Sequence, residues 1–139
     1  MCGSGILHHL NPARAYGEIA RVLKADGIGV FAEPLGHNPA INAYRNRTPA
    51  LRTVDEHPLL MQDLALAERF LAEVSTRFFT LSSLLVIHLR DRPGFERLVS
   101  GFDALDRWLF RVAPPLRRQA WMVGMTLCRP RPLEPGTGR

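Results

Sequence analysis

The spacing of apolar and polar residues predicts helices that alternate with strands along most of the chain. Apolar residues recur at helical spacing in three segments, at 12–24, 62–73 and 95–112. Continuous apolar runs predict strands at 28–32, 75–87 and 120–128. Asparagine followed by proline suits a cap and the first helical position, and predicts helix starts at Asn11-Pro12 and Asn38-Pro39. The predicted fold class is α/β, with a polar insert at 52–58.

The stretch from Asp26 to Asn38 is where a functional site is expected. The Asp26-Gly27 turn precedes the apolar run 28–32, whose lack of polar alternation predicts a strand covered on both faces of a parallel sheet. The run stops at Glu33-Pro34 and a polar loop containing His37 follows. Ligands bind outside the carboxyl ends of parallel strands in such sheets. Functional side chains are therefore expected in this loop.

Composition narrows the classes of partner. The chain of 139 residues has the length of one soluble domain, with a formal net charge of +5. Its arginines are scattered along the sequence, which argues against a nucleic-acid partner. Cys2 and Cys128 form no disulfide or zinc pattern, so a cytoplasmic location is expected. The longest apolar run, 78–89, is too short to span a bilayer, so no integral membrane segment is expected.

The helix predicted at 95–112 is amphipathic and carries arginines. Its apolar stripe consists of Leu98, Phe102, Leu105, Leu109 and Val112. Such a helix suits either the face of a sheet or a membrane surface. Asp103 and Asp106 weaken its basic side, which favours packing on the sheet. The aromatic residues Tyr44 and Trp108 are expected in the core.

Three motifs occur in order near the amino terminus. They are Gly5-Ile6-Leu7-His8-His9-Leu10, Glu18-Ile19-Ala20-Arg21-Val22-Leu23-Lys24-Ala25-Asp26-Gly27 and Val30-Phe31-Ala32-Glu33-Pro34. They resemble the segments of class I S-adenosylmethionine-dependent methyltransferases that follow the fourth strand, end the next helix and form the fifth strand. Ala25-Asp26 stands where the family commonly has Pro-Gly. The stretches 36–49 and 52–59 are similar to small-molecule methyltransferases with an insert after the fifth strand.

The resemblance covers roughly Gly3 to Pro130 and implies a partial Rossmann-like methyltransferase sheet, from the end of the fourth strand through the seventh, with a helical insert after the fifth. Residues 1–128 would be the carboxyl-terminal portion of a methyltransferase domain, and 129–139, rich in proline and glycine, a disordered tail. The implied cofactor is S-adenosylmethionine and the implied acceptor is a small molecule.

The glycine-rich cofactor loop of such enzymes has no counterpart in this sequence. Gly3-Ser4-Gly5 is not expected to be that loop, because no strand precedes it and His8 stands where a third glycine is wanted. We therefore expect weak or no methyl transfer by this chain alone.

The resemblance also implies residues near the methyl donor. Gly5, Ile6, Leu7 and His8 match the family segment that lies beside the cofactor. His8 and His9 are candidate catalytic bases, because an imidazole titrates near neutral pH. The alternative is that one histidine caps a helix while the other packs in the interior.

Glu33 and His37 complete the catalytic candidates. Glu33 ends a buried strand, where a charge is costly unless it is paired. It is expected either to bind or deprotonate the acceptor, or to pair with Arg45 or Arg52. His37 follows in the same loop and is expected on the acceptor side.

The candidates for binding the acceptor are Asn38, Arg45, Glu56 and His57. Asn38 is alternatively the N-cap of the helix that follows it. Glu56 and His57 belong to a polar cluster with Asp55 that is expected to fold over the pocket. No metal site is predicted, because this cluster has no partner at metal-ligand spacing.

A second function class stays open at this stage. An incomplete sheet leaves an open edge and an uncovered apolar face, and such surfaces pair with other chains. The chain would then be a non-catalytic interaction module or the carboxyl-terminal half of a split enzyme. Its partner would be a second copy or a separate amino-terminal half.

Overall fold

The computed structural model describes residues 1–48 and 57–132, which form a mixed α/β fold around an open four-stranded sheet, as the predicted class requires. The helices are α1 (Pro12–Val22), α2 (Pro39–Arg47), α3 (Met61–Leu66) and α4 (Phe95–Val112). The strands are β1 (Cys2–Ser4), β2 (Ile28–Pro34), β3 (Leu71–Phe79) and β4 (Met122–Pro130). Short 3-10 helices cover Leu7–His9, Ala67–Arg69, Ser83–Leu89 and Pro114–Gln119.

The sheet has the strand order β1-β2-β4-β3. β1 and β2 are parallel, with Gly3 opposite Phe31, and α1 lies between them in the chain. β4 is antiparallel to both of its neighbours, so that Val123 is opposite Glu33 on one side and Phe78 on the other. The parallel pair brings the turn after β1 beside the carboxyl end of β2, the position at which α/β sheets bind ligands.

The side chains of Asn11 and Asn38 cap the amino-terminal ends of α1 and α2, as the sequence predicts. Oδ1 of Asn11 accepts the backbone N–H of Arg14 at 3.1 Å. Oδ1 of Asn38 accepts the backbone N–H groups of Ala40 and Ile41 at 3.0 and 3.2 Å. These bonds satisfy N–H groups that have no partner within their own helix.

The core lies on one face of the sheet, where α1 and α4 pack. β4 turns Val123, Met125 and Leu127 toward this face, and all three are fully buried. The ring of Tyr16 on α1 is also fully buried there, and its hydroxyl donates to Sδ of Met125 at 3.6 Å.

The opposite face of the sheet is open at β2. Ile28 and Val30 are 54% and 46% exposed, whereas Phe31, which points to the other face, is buried. The prediction that the run 28–32 is covered on both faces is therefore wrong within the described part of the chain. An apolar run without alternation signals strand propensity but does not say which elements cover each face.

Two element boundaries in the middle of the chain differ from the prediction. The helix predicted at 62–73 ends early, because β3 already begins at Leu71 and pairs with β4. Long-range pairing here overrides local helical spacing. The strand predicted at 75–87 ends at Phe79, because Thr80 has a φ of 62° and the serines after it bond to α4.

The predicted tail, 129–139, is only partly described. Arg129 and Pro130 belong to β4, so this strand extends past the boundary predicted at residue 128. Pro130 lies opposite Leu71 of β3, and Nε of Arg129 lies 3.4 Å from Oε2 of Glu73. Residues 133–139 lie outside the described ranges.

α4 packs on the sheet as predicted, but not through the predicted stripe. Its buried residues are Asp106 and Phe110, while Leu105 faces solvent. Trp108 and Tyr44 are each 57% exposed, so the expectation that they lie in the core is wrong. The buried face is chosen by Asp106, whose carboxylate bonds to the segment after β3. No helix in the described ranges combines the length and the hydropathy needed to cross a membrane.

Candidate functional site

Glu33, near the end of β2, is a fully buried carboxylate. Its Oε1 accepts the backbone N–H of Ile6 at 2.9 Å. Its Oε2 accepts the backbone N–H of His8 at 3.3 Å and lies 2.8 Å from Nδ1 of the same histidine. A buried charge is costly without partners, and these bonds supply them. Glu33 therefore ties the end of β2 to the turn that follows β1.

The turn after β1 is shaped to present these donors. Gly5 has a φ of 63°, a conformation that glycine adopts without steric cost, and its N–H donates to the carbonyl of Ala32 at 2.9 Å. The 3-10 helix Leu7–His9 follows, with the side chain of Leu7 in the core. Because β1 and β2 are adjacent and parallel, this short helix lies beside Glu33.

Among the described residues, the side-chain partner of Glu33 is His8 rather than Arg45. Arg45 donates Nη1 to the carbonyl of Leu35 at 3.3 Å. Arg52 lies outside the described residues. Since Glu33 is fully buried, it would influence a ligand through the residues that it holds in place, Ile6 and His8.

His8 is held in one orientation by this carboxylate. Because an ionised carboxylate only accepts, Nδ1 of His8 carries the hydrogen and Nε2 of the neutral ring keeps a lone pair. The side chain of His8 is 9% exposed, and its ring lies against that of His9, with centroids 4.0 Å apart. A carboxylate that orients an imidazole in this way is typical of general bases. The pair can accept a proton at Nε2.

A cavity of about 830 Å³ opens beside this turn. Its walls come from the turn between β1 and α1, from the loop after β2, from α2 and from the segment that leads into α3. The residues that border it are His9, Leu10, Asn11, Pro12, Gly36, Asn42, Arg45, Asn46, His57, Pro58, Leu60 and Asp63. Three predicted site residues, His9, Arg45 and His57, therefore meet at one cavity. The backbone N–H of His57 donates to the carbonyl of His8 at 2.8 Å, which links the two walls.

Asn38 and His37 are engaged in holding the fold around the cavity. Besides capping α2, Asn38 donates Nδ2 to the carbonyl of Gln119 at 2.6 Å, so the capping alternative describes it. Nε2 of His37 accepts the backbone N–H of Met61 at 3.0 Å. Burial and then the charge of Arg118 lower the pKa of His37, against the opposing effect of Asp63. His37 is thus a neutral acceptor at the start of α3.

The segment predicted to lie beside the cofactor, Gly5 to His8, has three of its four backbone N–H groups bonded within the protein. The N–H groups of Gly5, Ile6 and His8 bond to Ala32 or Glu33. Leu7 is in the core, whereas the side chain of Ile6 is exposed. A ligand at this segment would contact the Ile6 side chain rather than a cradle of free backbone N–H groups.

The glycines of Gly3-Ser4-Gly5 have separate structural reasons. Gly3 and Ser4 lie in β1, and a Cβ at Gly3 would come within 3.0 Å of the ring of Phe31. Gly5 supplies the positive φ described above. Packing and turn geometry therefore account for both glycines without a nucleotide-binding loop. The expectation that no strand precedes this pattern is wrong, because β1 leads into it.

Asp55 and Glu56, two residues of the predicted polar cluster, lie outside the described ranges.

One residue that borders the cavity was not predicted from the sequence. Asp63 was missed: it borders the cavity and its Oδ2 accepts the backbone N–H of Leu60 at 2.8 Å. Its position three residues after Leu60 is the spacing of a residue that caps a helix start, and that signal could have found it. In the described part of the chain, no three His, Cys, Asp or Glu side chains are grouped as metal ligands.

Comparisons with known proteins identify no family for this chain. The sequence matches no model of a known protein family and no curated protein.

Proposed function

We propose that this domain is the acceptor-binding part of an S-adenosylmethionine-dependent methyltransferase that acts on a small molecule, with His8 as its general base. The observation that carries the proposal is the buried pair of Glu33 and His8 at the carboxyl end of β2. It joins two residues of the motifs that resemble this enzyme class, and it gives them a chemical role.

The chemistry requires little beyond positioning and a base. S-adenosylmethionine, when bound, supplies a methyl group already activated by a sulfonium. The acceptor must lose a proton if its attacking atom carries one. His8 would take that proton at Nε2, while Glu33 stabilises the imidazolium through Nδ1. The cavity beside His9 would hold the acceptor, with Arg45 and Asp63 among the polar groups that orient it. His8 is not among the residues that border this cavity, so the acceptor would have to reach past His9 to Nε2 of His8.

The fold supports the proposal in two respects. The described sheet has four strands, as many as the resemblance implies from the fourth strand to the seventh. The cavity lies beyond the carboxyl ends of the parallel pair β1 and β2, where such sheets bind ligands.

The test uses two proteins. With the 139-residue chain, calorimetry is expected to give no micromolar binding of S-adenosylmethionine, and binding in that range would overturn this expectation. An in-frame strand followed by a glycine-rich loop, if one is encoded immediately upstream of Met1, would supply the cofactor-binding half. The chain extended by that sequence should transfer methyl groups, and His8→Gln should lower the turnover about 100-fold without weakening cofactor binding. Unchanged turnover would exclude His8 as the base, and Glu18→Gln, on the surface of α1, is the control.

A second candidate function is association with another polypeptide, which the open face of β2 favours. Ile28 and Val30 are exposed apolar residues next to β1, which has β2 as its one neighbour in the described sheet. A partner that adds a strand to β1 and covers these residues would satisfy both surfaces. Light scattering after gel filtration should give a discrete dimer or a complex with a separately encoded half. Val30→Lys should reduce this association, and a monomer at all concentrations would contradict it.

A further inference from the structure

The outer face of α4 carries an apolar stripe that no other element covers in the described ranges. It consists of Leu98, Leu105, Trp108 and Val112. These residues recur at i, i+7, i+10 and i+14, so they lie on one side of the helix, which is not the side of the buried residues Asp106 and Phe110. Trp108 is the largest of them, and it is as exposed as any residue of the stripe.

A groove lined by arginines lies next to this stripe. It has a volume of about 310 Å³ and is formed by β3, the carboxyl-terminal half of α4 and the 3-10 helix Pro114–Gln119. Its charged lining residues are Arg77, Arg107, Arg111 and Arg117, and no carboxylate is among the described residues that border it. The sequence separates these arginines by up to 40 positions (117 − 77), so their convergence is visible only in the fold.

Two of these arginines, Arg107 and Arg111, form no ion pair with a described carboxylate and are available to an external anion. Arg77 alternates with Phe78 along β3, so its side chain lies on the other face of the sheet, 5.8 Å from the ring centroid of Phe79. Arg117 donates Nε to the carbonyl of Phe110 at 3.0 Å, which fixes its position at the groove. A planar guanidinium binds phosphate oxygens through two parallel hydrogen bonds.

Only one of the two aspartates of α4 is turned away from this charge. Asp106 is almost completely buried, and its carboxylate accepts the backbone N–H groups of Leu81 and Ser82 at 2.9 and 2.8 Å. Asp103 is half-buried and precedes Arg107 by four residues, so it lies beside that arginine on the helix. The objection that the sequence raises is therefore removed for Asp106 but not for Asp103.

We propose that α4 docks on the surface of a membrane that contains anionic phospholipids. The stripe around Trp108 enters the boundary between headgroups and acyl chains, and Arg107 and Arg111 bind headgroup phosphates in the groove. Tryptophan with leucine and valine on one side of a helix and arginine beside them is the composition of interfacial helices. The described lining of the groove holds arginines and no carboxylate, and this charge complements an anionic surface.

Flotation with vesicles tests this proposal on the 139-residue protein. Vesicles of phosphatidylcholine mixed with phosphatidylglycerol should carry the protein upward, and vesicles of phosphatidylcholine alone should not. Arg107→Gln with Arg111→Gln should weaken binding about 25-fold, from about fivefold for each arginine near the surface. Arg14→Gln with Lys24→Gln removes the same charge from exposed positions around α1, and it should retain most of the binding.

The apolar part is tested by Trp108→Ser, which should weaken binding roughly tenfold. Tyr44→Ser is its matched control, because Tyr44 has the same exposed fraction. Equal binding to both kinds of vesicle, or by the arginine variant and its control, would overturn the proposal. A dimer that Trp108→Ser converts to a monomer would instead assign the stripe to a second copy. Release from vesicles by inorganic phosphate, but not by chloride at the same ionic strength, would assign the groove to free phosphate.

Discussion

Oε2 of Glu33 lies 2.8 Å from Nδ1 of His8, and the two residues are 25 positions apart in the chain. The contact joins the end of one parallel strand to the turn after its neighbour. It also determines which ring nitrogen of His8 is left for other chemistry. One buried pair thus joins two parts of the fold and fixes the tautomer of a candidate base.

Glu33→Gln should destabilise the fold. The substitution replaces an oxygen that accepts from His8 by an amide group that donates, and it removes the charge that strengthens the bond to Ile6. We expect the free energy of unfolding to fall by about 3 kcal/mol, measured by urea denaturation. Glu18→Gln, at an exposed pair with Arg21, should leave the midpoint unchanged. Equal midpoints for both variants would contradict a buried ionised Glu33.

His8 should be found in the Nδ1–H tautomer when neutral. The backbone N–H groups of Ile6 and His8 both donate to the carboxylate of Glu33, so this carboxylate acts as an acceptor. Nδ1 of His8 must then be the donor in the bond between the two side chains. Nitrogen-15 NMR that correlates ring carbon-bound hydrogens with both ring nitrogens distinguishes the two tautomers. An Nε2–H tautomer would refute the assignment of Nε2 as the proton acceptor. His57, whose side chain is exposed, provides the internal comparison.

Asp106→Asn should loosen the junction between β3 and α4. Burial on its own raises the pKa of Asp106, but hydrogen bonds from the Ser82 hydroxyl and from the backbone of Leu81, Ser82 and Ser83 outweigh it and keep the pKa low. An asparagine amide cannot accept all of these hydrogens, so the free energy of unfolding should fall by about 2 kcal/mol. Hydrogen exchange at Leu81 and Ser82 should accelerate. Asp103→Asn is the control, and unchanged exchange in the Asp106 variant would disprove this role.

The features that sequence predicts well here are the local ones. Asn11 and Asn38 were identified as helix caps because a cap depends on the few residues that follow it. The start of β3 at Leu71 was missed because it depends on pairing with Pro130 and its neighbours, far away in the chain. Helical spacing over 62–73 is a local signal, and the sheet overrides it.

In the candidate site, too, local features could be predicted from the sequence and long-range contacts could not. Glu33 is recognisable from sequence because a carboxylate after an apolar strand needs a partner. Its choice of His8 over Arg45 follows from the parallel pairing of β1 with β2, which no local pattern contains. The groove between β3 and α4 was missed for the same reason, since scattered positions in sequence give no measure of distance in space.

His37 should make the fold sensitive to mild acid. Its Nε2 accepts the backbone N–H of Met61, which only the neutral ring can do, and burial followed by Arg118 lowers its pKa below the ordinary value of 6.5. The contribution of His37 to the free energy of unfolding is therefore fully present only at pH values above 6.5. As the pH falls below that value the unfolded chain binds the proton first, and stability is lost until the folded pKa is passed. His37→Gln keeps an acceptor that does not titrate, so its unfolding midpoint in urea should fall less on acidification than that of the unmodified protein. The matched control is His57→Gln, which should retain the full loss, and an acid dependence shared by all three proteins would rule out His37 as its source.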